Sequence, residues 1–348
     1  MILRIVSILA SLAVVIMPAE AEEPKPLFGD ESVLRLQITF PSRALVRNAE
    51  KSTAPHPAKL LLAGDASEKH KILLSARGNS RRDKRVCEFP PLRVEFIEKA
   101  SDESLFVGQK RLKLVTHCRP QKKYQQYYLL EFAAYKLFNV MTTSSLRVRL
   151  AEIDYIDSEN EKIIATRYGF FIEDTDDAAK RLGVKEIDVD DIDVAQLNAR
   201  AAGTYSIFQY MIGNLDWSMH DGGDEKDCCH NTKLIGQRVE PLSDLHPVPY
   251  DFDYSGIVDA PYAVPPTNVR VRSVRSRRYR GFCVHNEAAR SAAAEFVAKR
   301  DELFAVLNNV PGMDDRSRRS AERFMDDFFE DISDDETLYA RLLKDCRG

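Results

Sequence analysis

The sequence predicts an α+β fold in two lobes, and three observations predict it. Between Val33 and Ile172, alternating or short apolar runs recur between turn signals, the pattern of antiparallel strands. One stretch free of Gly and Pro, Tyr124 to Met141, breaks that pattern with apolar residues at helical spacing. From Gln196 onward, helical spacing dominates. A β-rich half of residues 32–175 and a helical half of residues 176–348 would leave a cleft at their junction.

The chain starts with the features of a secretory signal peptide over residues 1–21. Arg4 supplies the positive start, Ile5 to Met17 is apolar apart from two serines, and Ala19-Glu20-Ala21 fits a small-x-small cleavage site. The apolar run is shorter than the roughly 18 residues of a membrane helix, so cleavage after Ala21 is expected rather than a retained anchor. This predicts a periplasmic or secreted protein with no integral membrane segment after cleavage. Residues 22–31 carry Pro and Glu and are expected to be a flexible lead-in.

The strand candidates follow in order. "VLRLQITF" alternates, "AKLLLAG" and "HKILLSARG" are short apolar runs, and "PLRVEFI" alternates again. "FVGQKRLKLVTHC" is expected to add a strand pair. After the helix over 124–141, "LRVRLAEIDYID" and "IIATRYGFFIED" predict a hairpin across "SENE". In the second half, residues 196–215, 286–309 and 315–332 predict helices, with a short one near 335–345. A Pro-rich loop covers 259–268.

Charge and cysteine content narrow the function. Lys and Arg number 50 against 54 Asp and Glu, a formal net charge of −4, which excludes an electrostatic case for nucleic acid as the main partner. Six cysteines in an exported chain predict pairing, without specifying which pairs form. A zinc site around Cys228, Cys229 and His230 is disfavoured, because adjacent cysteines lack the spacing that lets two thiolates grip one metal.

The chemistry-bearing stretch is "NLDWSMHDGGDEKDCCHNTKLIG", followed after a short interval by "PVPYDFDYSG". It gathers Asp216, Asn231, Asp251 and Asp253, with apolar, strand-compatible runs beside the last three. Phosphoryl transfer needs hard oxygen ligands for a divalent cation and a carboxylate that orients the attacking hydroxyl. An Asp, then an Asn, then a strand-borne Asp is the set protein kinases use, although Asp and Asn are there about five residues apart. Here the interval is fifteen, lengthened by "DGGDEKDCC". Asp221, near the start of that insertion, is a rival for the role of base. A solvated acidic loop is the plain alternative. A second stretch, "RGNSRRDKR" (77–85), follows a strand and offers arginine forks and a glycine for close approach to phosphate.

In this order, "RGNSRR…FPPLRVEF", "LKLVTHC…YYLLEFAAYKLF", "YGFFIED" and "GNLDWSMH…HNTKLI…PYDFDYSG" resemble the spore coat protein H kinase-like family over roughly residues 32–300. The resemblance implies a two-lobed, atypical protein-kinase-like fold, with a β-rich N-lobe and a mainly helical C-lobe. It implies transfer of phosphate from ATP or another nucleotide, with Mg2+ or Mn2+, to a hydroxyl of a protein or small molecule. In that reading Asp216 is the catalytic base, Asn231 and Asp251 are metal ligands, and Asp253 assists them. Arg77 and Lys113 face the nucleotide phosphates, and Glu131 pairs with Lys113. The alternative is a catalytically inactive binding protein of the envelope or exterior.

Other features have plainer expectations. "NVRVRSVRSRRYRGF" holds six arginines within residues 270–280 and is expected to form a solvated strand-and-loop face. His117 and His246 are expected to make structural hydrogen bonds. Trp217 is expected to pack beneath the catalytic loop.

Overall fold

A computed structural model describes residues 23–64, 68–222 and 228–348. The expected signal peptide lies outside the described residues, as does the middle of the insertion, 223–227. The first seven strands are β1 (Leu34–Phe40), β2 (His56–Leu62), β3 (Glu68–Ala76), β4 (Leu92–Phe96), β5 (Arg111–Val115), β6 (Val148–Asp157) and β7 (Ile163–Ile172). They form a closed barrel in the order β1-β2-β3-β4-β5-β7-β6. Closure comes from parallel pairing of β1 with β6, from Leu34 opposite Ala151 to Phe40 opposite Asp157.

This corrects the expected two-lobed kinase-like fold: the chain is a closed seven-stranded barrel with an attached helical region. The reason lies in long-range pairing. Every neighbouring antiparallel pair except β5–β7 joins strands consecutive in the sequence, but the bond that closes the barrel joins its first strand to its sixth. Local periodicity carries no information about that partner.

Where helices pack on the barrel, a strand has two dry faces. On β7, Phe171 points into the barrel core with Leu36, Leu114 and Ile153. Its neighbours Phe170 and Ile172 join a second core against the helices. That alternation explains why "GFFI" is buried throughout although it belongs to a sheet.

Helix α1 (Ser42–Asn48) follows β1, and α2 (Gln125–Met141) lies between the barrel wall and the remaining helices. Next come α3 (Thr175–Arg181), α4 (Ala199–Ile212), α5 (Asn286–Ala298), α6 (Arg300–Asn308), α7 (Asp315–Asp331) and α8 (Asp335–Arg341). Helix α4 crosses α5 closely at Gly203, where a Cβ would lie 2.6 Å from the Ala288 carbonyl carbon. A small second sheet orders β10 (His246–Pro249), β9 (Thr232–Gly236) and β8 (Lys185–Ile187).

Four local expectations are corrected. The lead-in is docked: Leu27 and Phe28 are buried in the barrel core, and Lys25 Nζ meets Asp177 at 2.6 Å. "FVGQKRLKLVTHC" supplies one strand, β5, because its first part turns back through backbone bonds such as Gln109 to Phe106. The helix over 286–309 divides at Lys299, whose Nζ donates to the Val140 carbonyl at 2.6 Å. The arginine-rich segment forms no strand. Arg277 stacks 3.7 Å from the centre of the Phe324 ring and donates to the Tyr210 and Met211 carbonyls, capping α4.

All six cysteines are paired: Cys87–Cys118, Cys228–Cys229 and Cys283–Cys346. The pairing fits an oxidising compartment. Among the described residues, no helix is long and apolar enough to cross a membrane.

Candidate functional site

Helix α4 delivers the first acid. Asn198 opens it, its Oδ1 accepting from Ala201 N, and Gly213 closes it in the left-handed conformation at φ +64°. A side chain at Gly213 would strain that backbone and place a Cβ 2.8 Å from the Phe324 ring. Asn214 then bonds back to the Gln209 carbonyl, and its Oδ1 accepts from Asp216 N at 3.0 Å. Trp217 is buried just beyond, donating from Nε1 to the Asn214 carbonyl and packing edge-on against Tyr205. The expected packing of Trp217 therefore occurs.

The long interval between Asp216 and Asn231 is closed at its base. Ser218 N donates to the His230 carbonyl, and His230 N to that of Asp221. These bonds return Asn231 to Asp216 despite the insertion. Asn231 Nδ2 donates to the Asp216 carbonyl at 2.8 Å and to its Oδ2 at 3.1 Å. His230 Nε2 lies 2.9 Å from Asp216 Oδ1, in hydrogen-bond contact. Both carboxylate oxygens are thus held by neighbouring side chains, while the group stays partly exposed.

The β9–β10 hairpin aligns the remaining acids. Thr232 faces Pro249, and one step further Tyr250 N donates to the Asn231 carbonyl at 3.1 Å. Asn231 and Asp251 therefore leave the same end of the hairpin. Both have left-handed backbones, with φ +50° and φ +63°. Such conformations concentrate where surrounding structure dictates the chain's course, and functional sites are one such place. Asp251 N donates to the Tyr135 hydroxyl of α2, and Phe252 is fully buried against Tyr135.

Below this sits a buried ionic cluster centred on Arg81, in a short 3-10 turn (Ser80–Arg82) after β3. Its Nη1 lies 3.0 Å from Glu131 Oε2, its Nη2 3.1 Å from Asp251 Oδ1, and its Nε 3.2 Å from Asp253 Oδ2. Burial raises the Glu131 and Asp253 carboxyls, with Arg81 pulling the other way. Arg81 itself is held charged, well above the ordinary arginine value: burial opposes the charge, but Asp253 and Glu131 outweigh it.

Glu131 is thus a core residue rather than a surface one, and its partner is Arg81 instead of the expected Lys113. The basic run marked the region without marking which arginine turns inward. Arg81 is the functional candidate that sequence reasoning passed over.

Lys113 and Arg77 line a narrow crevice with Glu131, Tyr135 and Asp251. Lys113 sits 5.2 Å from the centre of the Tyr250 ring. Burial, aided by repulsion from Arg77, lowers its ammonium to about 8. Burial likewise lowers the Arg77 guanidinium. Among the described residues, neither cation has a carboxylate at salt-bridge distance. Tyr254 ties the halves together: its phenol is raised by burial, is bonded to Ser80, and feels Asp253, Asp216 and Asp251 together.

The oxygen donors Asn231, Asp251 and Asp253 suit a hard divalent cation. Asp253 is already engaged, its Oδ2 ion-paired with Arg81 Nε and its carboxyl hydrogen-bonded with Tyr262. Among the described residues, no cluster of three or more His, Cys, Asp or Glu is arranged to hold a metal. Asp216 opens instead on a cavity of about 490 Å3, which Asp221, His230 and Arg280 also line.

Of the two expected structural hydrogen bonds, only that of His246 forms among the described residues; His117 Nδ1 is buried without a hydrogen-bond partner, because its ring is held by stacking instead. His117 stacks on Phe89 at 4.3 Å, and burial holds its imidazole down at about 3. His246 Nδ1 contacts Ser144 Oγ at 3.2 Å.

The fold and site together define a closed β-barrel carrying a helical region, with an acid-rich cluster at their junction. No protein-family model matches the chain, and no curated protein matches it either.

Proposed function

We propose that this protein is a metal- and nucleotide-dependent phosphotransferase acting on a hydroxyl, exported to the periplasm or the exterior. One observation carries the reading. Asp216 is held by Asn231 and His230 on one side of the hairpin end, while Asp251 leaves the other beside Arg77 and Lys113. This juxtaposes an oriented carboxylate, oxygen donors for a cation, and two cations that, among the described residues, have no carboxylate at salt-bridge distance and suit phosphate. The order of motifs, which resembles that of the spore coat protein H kinase-like family, supports it.

In this reading Asp216 accepts the proton of the acceptor hydroxyl. That oxygen forms the new bond to phosphorus as the bond from phosphorus to the nucleotide's bridging oxygen breaks. Arg77 and Lys113 hold the nucleotide phosphates. Mg2+ or Mn2+, bound by Asn231, Asp251 and Asp253, would supply charge neutralisation there.

The test is thermal stability of the mature chain with ATP plus Mg2+ or Mn2+, together with transfer of labelled phosphate. A stabilisation that Asp251→Ala abolishes, and labelled product that Asp216→Asn abolishes, are expected. No nucleotide-dependent shift with either metal overturns the reading.

A second reading, a binding protein without transfer, has its own observation. Arg81 already engages Asp251 and Asp253, and the crevice beside them admits no water-sized sphere. It predicts intact partner binding in Asp216→Ala and no labelled product from the parent chain.

A further inference from the structure

The cavity beside Asp216 has a basic wall that phosphoryl transfer does not by itself require. Two guanidiniums, Arg280 and Arg347, line it together with Asp216, Thr267 and Asn268. Arg280 lies 5.2 Å from the centre of the Trp217 ring and donates to the Leu215 carbonyl. Arg347 arrives from the far end of the chain and is locked in place. Its N donates to the Gly281 carbonyl and its carbonyl accepts from Cys283 N, both at 2.8 Å. The Cys283–Cys346 disulfide fastens the adjacent residues, and the Arg347 guanidinium rests 5.2 Å from the centre of the Phe282 ring.

One feature of this wall points to a ligand. Among the described residues, neither arginine has a carboxylate at salt-bridge distance. Burial, with repulsion from Arg347 next in size, lowers the Arg280 guanidinium to about 10. An anion between the two would relieve the repulsion. The volume of about 490 Å3 has room for a ligand of monosaccharide size. Thr267 and Asn268 offer partners for further hydroxyls.

We propose that this cavity binds the phosphoryl acceptor as a small polyhydroxyl compound bearing one carboxylate or phosphate. Its anion rests on Arg280 and Arg347, and one of its hydroxyls lies at Asp216. The fate of that hydroxyl rests on the phosphotransferase reading: its proton passes to Asp216, its oxygen bonds to the phosphorus of a nucleoside triphosphate, and the diphosphate departs. The anion binding does not depend on that reading.

The experiment is calorimetric titration of the full mature chain with glucuronate, glucose 6-phosphate and, as the uncharged control, glucose, beside transfer assays from ATP. Binding of at least one anion but not of glucose is expected, and which anion binds identifies the group recognised. Arg347→Gln is expected to weaken binding at least roughly tenfold, the loss of a charged hydrogen bond. Arg347→Lys, which keeps the charge, is expected to fall between, and an unchanged melting temperature in both variants separates this effect from misfolding. Equal affinity for glucose, no binding of any of the three, or undiminished binding by Arg347→Gln overturns the proposal. Anion binding without phosphoryl transfer leaves this pocket standing and removes the phosphotransferase reading. Transfer to glucose with no preference for the anions does the reverse.

Discussion

Arg81 and Glu131 meet across fifty residues of sequence, with Nη1 3.0 Å from Oε2 and Nη2 3.4 Å from Oε1. Both side chains are buried, and Arg81 also reaches Asp251 and Asp253. This one guanidinium ties the barrel, helix α2 and the acid-bearing loop after β10. Replacing it by Met leaves carboxylates buried without their counter-ion, a loss of about 3–5 kcal/mol. Arg81→Lys is expected to recover only part, because an ammonium cannot present a fork to three carboxylates. Urea unfolding midpoints of the two variants check both expectations.

The raised carboxyls of Glu131 and Asp253 set a pH dependence. An acid raised in the folded state binds its proton more tightly there than in the unfolded chain. The associated stability is therefore fully present below the ordinary carboxyl value of 3.8 for Asp253 and is lost as pH rises from there toward the folded value. Asp253→Asn removes that site. As pH rises from about 4, where ordinary carboxyls titrate, the parent chain is expected to lose stability relative to the variant. Parallel melting curves that keep a constant separation would contradict this.

Lys113, lowered to about 8, is partly neutral at mildly alkaline pH, unlike ordinary lysines. Neutrality favours its acylation, but the crevice admits no water-sized sphere, so labelling of Lys113 by an amine-directed reagent is expected to trail that of the exposed lysines, and ATP is expected to slow it further. The stability sign is opposite to that of the acids. The cost of burying the ammonium is fully present below about 8 and is relieved as pH rises toward the unfolded value of 10.5. Peptide mapping after brief labelling, with and without nucleotide, reads the reactivity.

The Cys87–Cys118 disulfide spans 31 residues and pins the segment carrying Arg81 to the end of β5. Replacing both cysteines by Ser is expected to cost about 3–4 kcal/mol through loop entropy. It is also expected to raise hydrogen exchange in residues 77–87 more than elsewhere in the barrel. A uniform rise would show that the bridge does not specifically hold the Arg81 turn.

Gly203→Ala brings a Cβ to 2.6 Å from the Ala288 backbone and pushes α4 away from α5. A loss of about 1–3 kcal/mol is expected. Because α4 delivers Asp216, loss of labelled product should accompany the loss of stability. Denaturation and transfer assays on the same preparation check the pair.

Much of this was legible in the sequence because it is local. The alternation in "LRLQITF" and "LRVEF" marked β1 and β4, and the unbroken helical spacing over 124–141 marked α2, which runs from Gln125 to Met141. The hairpin holding "HNTKLI" and "PVPYDFDYSG" followed from two apolar runs, so the common departure point of Asn231 and Asp251 was foreseeable. Such signals persist because one face of each element must be dry, and that requirement is written residue by residue. What only the tertiary structure decided is which distant elements meet. The β1–β6 pairing turned an expected lobe into a closed barrel. Burial selected Arg81 among the basic residues of its turn, and the Cys283–Cys346 bridge brought Arg347 to the cavity at Asp216. The physical reason is common to all three. A charge or strand edge takes the partner that completes its hydrogen bonds once water is excluded, and no spacing along the chain encodes that partner.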